Sequence, residues 1–181
     1  MAFPGLFDVM QPVNFHIRHE EESDAQALSA LSAQAFGPGR FARTAYRIRE
    51  GVPPVASLSL TAVIGDRLVG GIRLTAVRVG EEANALLLGP LVVDPGQTGN
   101  GYGSALIKEG LARARTEGFT LVLLVGDMPY YGRFGFKPVP PGQITLPGPV
   151  DPARLLALEL VPGALAATTG MVRATARSNK N

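Results

Sequence analysis

Residues 85 to 110, "ALLLGPLVVDPGQTGNGYGSALIKEG", pass from a near-continuous apolar run through three alternate glycines, Gly99, Gly101 and Gly103, into a segment with helical spacing. A run of that kind reads as a strand buried on both faces, which requires sheet neighbours at its edges and cover above and below. Gly89 and Pro90 interrupt it, and because proline donates no hydrogen bond to a ladder, a bulge or a local parting of the sheet is expected there. The glycines mark the head of the helix. First-turn N–H groups have no internal partners and the helix dipole favours negative charge, so strand, glycine turn and helix together make an anion site with phosphate as its usual guest. A merely flexible turn is the competing reading, although three alternate glycines exceed what a cap requires.

The rest of the chain offers the neighbours such a strand needs. "FHIRH" has the composition of a first strand, and "EESDAQALSALSAQAFG" carries Ala27, Leu28, Leu31 and Ala35 at helical spacing, with Ser23 as the expected cap and Gly37-Pro38-Gly39 as the stop. A second, shorter helix is expected over 40 to 51. "SLSLTAVIGDRLVGGIRLTAV" reads as a hairpin turning at Gly65-Asp66. Leu106, Ile107, Leu111 and Ala114 stripe the helix that follows the glycines, which Gly118 ends. "FTLVLLV" is a further buried strand, "PYYGRFGF" one short helical turn, and "ITL" and "LLALEL" two more strand candidates. The predicted fold is α/β (α+β): one domain with a mixed, twisted sheet flanked by helices.

Composition narrows the function. The 181-residue chain suits a single domain with a substantial core, and 46% hydrophobic with 18% charged residues is ordinary for a globular protein. The absence of cysteine removes disulfides, thiolate nucleophiles and Cys-based zinc sites, and fits a reduced, cytoplasmic setting. His16 and His19, three apart on a strand, face opposite ways and make a poor metal pair, so no metal is expected. A net charge of +2, with basic residues gathered at Arg173, Arg177 and Lys180, provides no basic stripe interleaved with aromatics and argues against nucleic acid. The N-terminal "MAFPGLFDVMQPVNF" lacks the basic start of a signal peptide, and Glu159, Pro162 and Gly163 break the longest weakly charged run, so no membrane span is implied.

Two nucleotide motifs fail on register. A dinucleotide fingerprint begun at Gly99 and Gly101 ends on Ser104 instead of glycine, and the lysine of a P-loop is replaced by Tyr102 after Gly101. Instead, "LLLGPLVVDPGQTGNGYGSALIKEGL" followed by "LVLLVGDMPYYGRFGF" resembles the GNAT superfamily of acyl-CoA-dependent N-acetyltransferases, and particularly a subfamily of bacterial acetyltransferases, over roughly residues 14 to 165. The resemblance implies a sheet of about seven strands splayed at the fourth, with residues 1–13 as an N-terminal arm and 166–181 as a basic tail. It implies acetyl-CoA as co-substrate, its pantetheine arm against Leu91, Val92 and Val93 and its pyrophosphate on the backbone of Thr98, Gly99, Asn100, Gly101, Tyr102, Gly103 and Ser104. Thr98 stands where the family carries Arg or Gln, one position after Gln97.

Within the same resemblance, "YYGRFGF" matches the family's Tyr-x-x-x-Gly-Phe pattern from Tyr131, which makes Tyr131 the general acid for the departing CoA thiolate. At its ordinary pKa of about 10 a tyrosine keeps its proton at neutral pH, as an acid must. Asp127, four residues earlier, is the nearest candidate base for the acceptor amine, or else a cap for the short helix. Glu50 either lines the acceptor groove or is solvated, and Arg47, Arg49 and Arg73 either meet an acidic acceptor or are accounted for by salt bridges and solvent exposure. Acceptor contacts are expected from residues 37 to 57 and 138 to 150. The implied reaction is direct transfer of an acetyl group to a primary amine of a small molecule or peptide; a homodimer is left open. The alternatives are a non-catalytic acyl-CoA-binding regulatory module, in which Tyr131 is dispensable, and an interaction domain using the basic tail, whose binding would depend steeply on salt.

Overall fold

The computed structural model describes residues 14–175. Its nine strands are β1 (Phe15–His19), β2 (Leu60–Ile64), β3 (Arg67–Val79), β4 (Glu82–Val93), β5 (Leu121–Val125), β6 (Lys137–Pro138), β7 (Ile144–Thr145), β8 (Leu155–Glu159) and β9 (Gly170–Ala174). Helices α1 (Ala25–Phe36), α2 (Thr44–Arg49), α3 (Tyr102–Thr116) and α4 (Met128–Tyr131) lie between them. The main path of the sheet runs β1-β2-β3-β4-β5-β8-β6, with β9 joining β3 and β7 pairing with β9. Neighbours along the path are antiparallel except β4 and β5, which the α3 crossover makes parallel. Nine strands replace the expected seven or so because two-residue strands such as β6 have no periodicity to read.

β4 is buried where its apolar run requires: Leu86 and Leu87 are fully enclosed, and Ala85 and Leu88 nearly so. Its pairing with β3 slips at the predicted point, since Ile72 faces Leu91 and Leu74 faces Leu88, leaving Arg73 opposite both Gly89 and Pro90. On the other edge, β4 pairs with β5 only from Ala85 to Leu87, whereas β5 continues along β8 through Leu124 and Val125. The sheet therefore parts after Leu87. Leu106, Ile107 and Ala114 of α3 fill one face against Ile72, Leu74 and Leu86, and burial of such side chains supplies about 1.5–3 kcal/mol each.

Three local expectations change. Helix α1 is not capped by Ser23: Asp24 holds that position, accepting two hydrogen bonds from Arg18 at 2.7 and 2.9 Å and one from the Glu21 amide. The helix expected over 40 to 51 divides into a 3-10 turn at Pro38–Ala42 and the six-residue α2, because Arg43 is extended between them. Residues 170–174, read as part of a tail, form β9 and pair with Val77, Arg78 and Val79, so Arg173 lies in the sheet. The arm, residues 1–13, and the tail residues Arg177 and Lys180 lie outside the described residues.

The Asp24 carboxyl is held below its usual range by the Arg18 guanidinium, helped by the Glu21 amide and opposed by burial. A depressed folded value stabilises the protein above the unfolded value of 3.8, and that stabilisation is lost as pH falls through the folded one. Asp24→Asn is accordingly expected to cost about 2 kcal/mol at neutral pH. The deficit should shrink below about pH 4 in urea melts.

Candidate active site

The free edge of β4 and the head of α3 form one continuous ledge. Beyond Leu87 no strand pairs with the β5 side of β4 among the described residues; because the Asp94 amide donates to Val69 O, Val92 turns its main chain to β3 while Leu91 and Val93 turn theirs to the open side. Val92 is buried, while Leu91 and Val93 are half-buried. The chain then makes a 3-10 turn at Pro95–Gln97, fixed by the Asp94 carboxylate, which accepts from the Gly96 amide at 2.9 Å and pairs with Arg67. Gly101 caps α3 with φ of 82°, a left-handed conformation that favours glycine. The first intrahelical bond runs from the Ala105 amide to Gly101 O at 3.0 Å, leaving the Tyr102, Gly103 and Ser104 amides at the helix head without helical acceptors.

Side chains contribute less to this ledge than main chain does. Thr98 turns its hydroxyl back onto Pro95 O, Asn100 donates to Gln97, and the Tyr102 ring is buried edge-on against Phe15. Space at Gly99 and Gly101 is open, since a Cβ at either would meet no atom within 4 Å. Gly103 differs: a Cβ there would stand 2.8 Å from the Tyr130 hydroxyl and 3.5 Å from Val93 Cγ2. Tyr130 thus brings its hydroxyl to the first turn of α3, a placement that only the fold reveals.

Where β4 and β5 part, a cavity of about 480 Å³ opens, lined by Leu88 to Leu91, by Val125 and Gly126, and by Asp127 and Tyr131. Tyr131 packs edge-on against Tyr130 and Phe136 at 4.9 and 5.9 Å, and its ring occupies space that a side chain at Gly126 would take. Burial pushes its pKa up to about 12; Tyr130 and Asp127 add to the rise and Arg154 opposes it. Asp127 lies at the rim, 76% exposed, with Arg154 Nε 3.3 Å from its carboxylate. It does not cap α4 with its side chain.

A second cavity of about 480 Å³ lies between α1, the 38–54 segment and the β3–β4 bulge. Tyr46, Arg49, Gly89 and Pro90 line both cavities, so the bulge is their shared wall. Glu50 lines this second cavity and is exposed. Of the three arginines singled out from sequence, Arg47 is exposed and Arg73 is paired with Glu20, but Arg49 is half-buried, with its Nη1 enclosed beside Gly89. The other predicted acceptor segment contributes Pro149 and Val150 to the first cavity, held to α2 by the Thr44 hydroxyl donating to Pro149 O at 2.6 Å.

Among the described residues there is no group of three or more His, Asp or Glu side chains arranged to hold a metal, and no helix long and apolar enough to cross a membrane.

A GNAT acetyltransferase domain matches residues 16–139. An uncharacterized N-acetyltransferase of Escherichia coli K12, YhbS, is 28% identical over 158 residues, covering 86% of this chain and 93% of its own. The crystal structure of E. coli YhbS in complex with CoA superposes with a TM-score of 0.78 at 25% identity, covering 97% of this chain and 93% of that one. A GNAT family acetyltransferase from Brucella melitensis, solved with acetyl-CoA, gives a TM-score of 0.68 at 30% identity, covering 91% of this chain and 97% of that one. With its splayed fourth strand and glycine-headed helix, this chain belongs to the GNAT acetyltransferase family.

Proposed function

We propose that the protein transfers an acetyl group directly from acetyl-CoA to a primary amine of a small molecule or peptide. One observation carries this: a single cavity is lined at once by the free edge of β4, the end of β5 and the Tyr131 side chain. In this reading the ledge holds the donor. The amides of Thr98 through Ser104 receive the pyrophosphate, and Leu91 and Val93, with Val92 between them turned to β3, pair along the pantetheine arm, as a strand would. That E. coli YhbS and the B. melitensis acetyltransferase were solved with CoA and acetyl-CoA supports an acyl-CoA as the donor.

The amine nitrogen then bonds the acetyl carbonyl carbon, the C–S bond breaks, and Tyr131 gives its proton to the departing sulfur. A tyrosine whose pKa is raised to about 12 is fully protonated when that demand comes. An amine with a lysine-like pKa is neutral in only about one molecule in two thousand at pH 7. Asp127, at the cavity rim and open to solvent, is the group placed to take the amine proton and pass it on. Holding donor and acceptor together supplies the remainder of the acceleration.

The test is a panel of polyamines, aminoglycosides, amino acids and peptide N-termini, offered with acetyl-CoA and followed by free-thiol release and product mass. Acceptor-dependent thiol release with acetylated product is expected. Tight acetyl-CoA binding with no transfer to any acceptor class would turn the reading to a non-catalytic acyl-CoA-binding module.

A further inference from the structure

We propose that the acceptor carries a carboxylate close to its amine, and that Arg49 and Tyr46 hold that carboxylate at the shared wall of the two cavities. Arg49 Nη1 and the Tyr46 hydroxyl are both buried, and neither has a hydrogen-bond partner among the described residues. Both side chains line both cavities. The rest of Arg49 is anchored: Nε donates to Ala45 O at 3.1 Å, and the guanidinium lies over the Tyr46 ring at 4.7 Å. Nη1 is thereby held against Gly89 at the shared wall of the two cavities, without a partner among the described residues.

Most other cations around the cavities are engaged or open to solvent: Arg43, which also lines the Tyr131 cavity, is exposed and lies over the Phe36 ring at 5.4 Å. Arg73 is paired with Glu20, Arg154 with Asp127, and Arg40 donates to Gly37 O while stacking on Phe41. Among the described residues no carboxylate lies within ion-pair distance of Arg49, Glu50 on the same cavity included. Burial lowers its pKa to about 10, with Arg73 adding to the fall and Tyr46 opposing it. An unpaired buried cation is costly, and an incoming oxyanion relieves that cost. The planar fork matches a carboxylate, and the Tyr46 hydroxyl supplies a further donor.

Position ties this group to the reaction. Arg49 Nη1 would stand 2.8 Å from a Cβ at Gly89, two residues past Leu87, the last residue of β4 to pair with β5. A carboxylate gripped there sits next to the opening through which an amine reaches the donor. Cavities of about 480 Å³ suit a free amino acid or the end of a short peptide. The inference rests on the acyl-transfer reading for the amine, whereas the anion pocket itself does not.

The experiment pairs free amino acids and dipeptides with their carboxamides as acceptors, in wild type, Arg49→Gln and Tyr46→Phe. In parallel, N-acetylated amino acids and N-acetylated dipeptides, each beside its carboxamide, are added to the CoA-saturated proteins and melting temperatures are read. Wild type is expected to prefer carboxylates by about 10- to 100-fold in kcat/KM, with Arg49→Gln losing most of that preference and Tyr46→Phe part of it. Only the carboxylate products should raise the melting temperature, and only when Arg49 is present; whichever series does so identifies a free amino acid or a peptide as the source. Transfer that ignores the carboxylate, or a preference unchanged in Arg49→Gln, would overturn the pocket while leaving acetyl transfer standing. Carboxylate-specific stabilisation without transfer would do the reverse. Should Arg49→Gln not fold, the wild-type pairs and Tyr46→Phe still decide.

Discussion

Tyr131→Phe slows acetyl transfer by about 10²- to 10⁴-fold in single-turnover thiol release, with acetyl-CoA affinity and melting temperature nearly unchanged. The substitution keeps the ring that packs on Tyr130 and Phe136 and deletes only the hydroxyl. Residual activity is expected because a thiolate leaves acceptably without a proton. Tyr130→Phe is the matched control: its hydroxyl lies at the first turn of α3, so its loss alters acetyl-CoA affinity and leaves the chemical step alone. The pH profile separates the two further. With a folded value near 12 in place of 10, the wild-type rate should not decline as pH rises through about 10, where an unperturbed tyrosine acid would be lost. Wild-type turnover in Tyr131→Phe, measured where chemistry limits the rate, would remove Tyr131 from the mechanism.

Gly101→Val weakens acetyl-CoA binding by about 100-fold or more, the loss expected when two or so charge-assisted main-chain hydrogen bonds no longer form. Valine cannot rest at φ of 82° without strain, so the first turn must rotate or its amides must turn away from the anion. The cap is exposed and a Cβ there meets no neighbour, so the fold survives with a melting temperature lower by only a few degrees. Gly101→Asn distinguishes conformation from bulk, because asparagine tolerates the left-handed region and should retain much more of the affinity. Calorimetry giving undiminished affinity in a folded Gly101→Val protein would move the pyrophosphate away from the helix head.

Features with local causes are legible in the chain itself. The Gly65-Asp66 turn joins Ile64 to Arg67 as its residues demand, and Gly89-Pro90 bends β4 because a missing N–H cannot be supplied from elsewhere. β9 is illegible for the opposite reason: "GMVRA" is five residues long and its partner, Val77 to Val79, lies more than ninety positions earlier. Asp24 replaces Ser23 at the helix start because Arg18, on a neighbouring strand, reaches it. Glycine spacing marks the ledge at Thr98–Ser104, but the nearness of Tyr130 to Gly103 depends on how α4 folds back. Arg49 is visible in the sequence only as one arginine among several. That it has no counter-charge among the described residues is a property of everything around it, and no single stretch of residues carries that information.

The parting of β4 from β5 divides the site by the kind of chemistry that encodes it. On the proposed function, the donor half consists of main-chain groups along an open strand edge and a helix head, which a side-chain replacement leaves in place so long as the backbone keeps its course. That explains how threonine can stand at position 98 without dismantling the ledge. The proposed acceptor half draws on side chains from the short α2 and its flanking turns, a segment fastened to the body by Thr44. On the same proposed function, substrate choice rests largely on about fifteen residues, from Arg40 to Pro54, while the acyl donor is held by main chain that the topology of the sheet fixes.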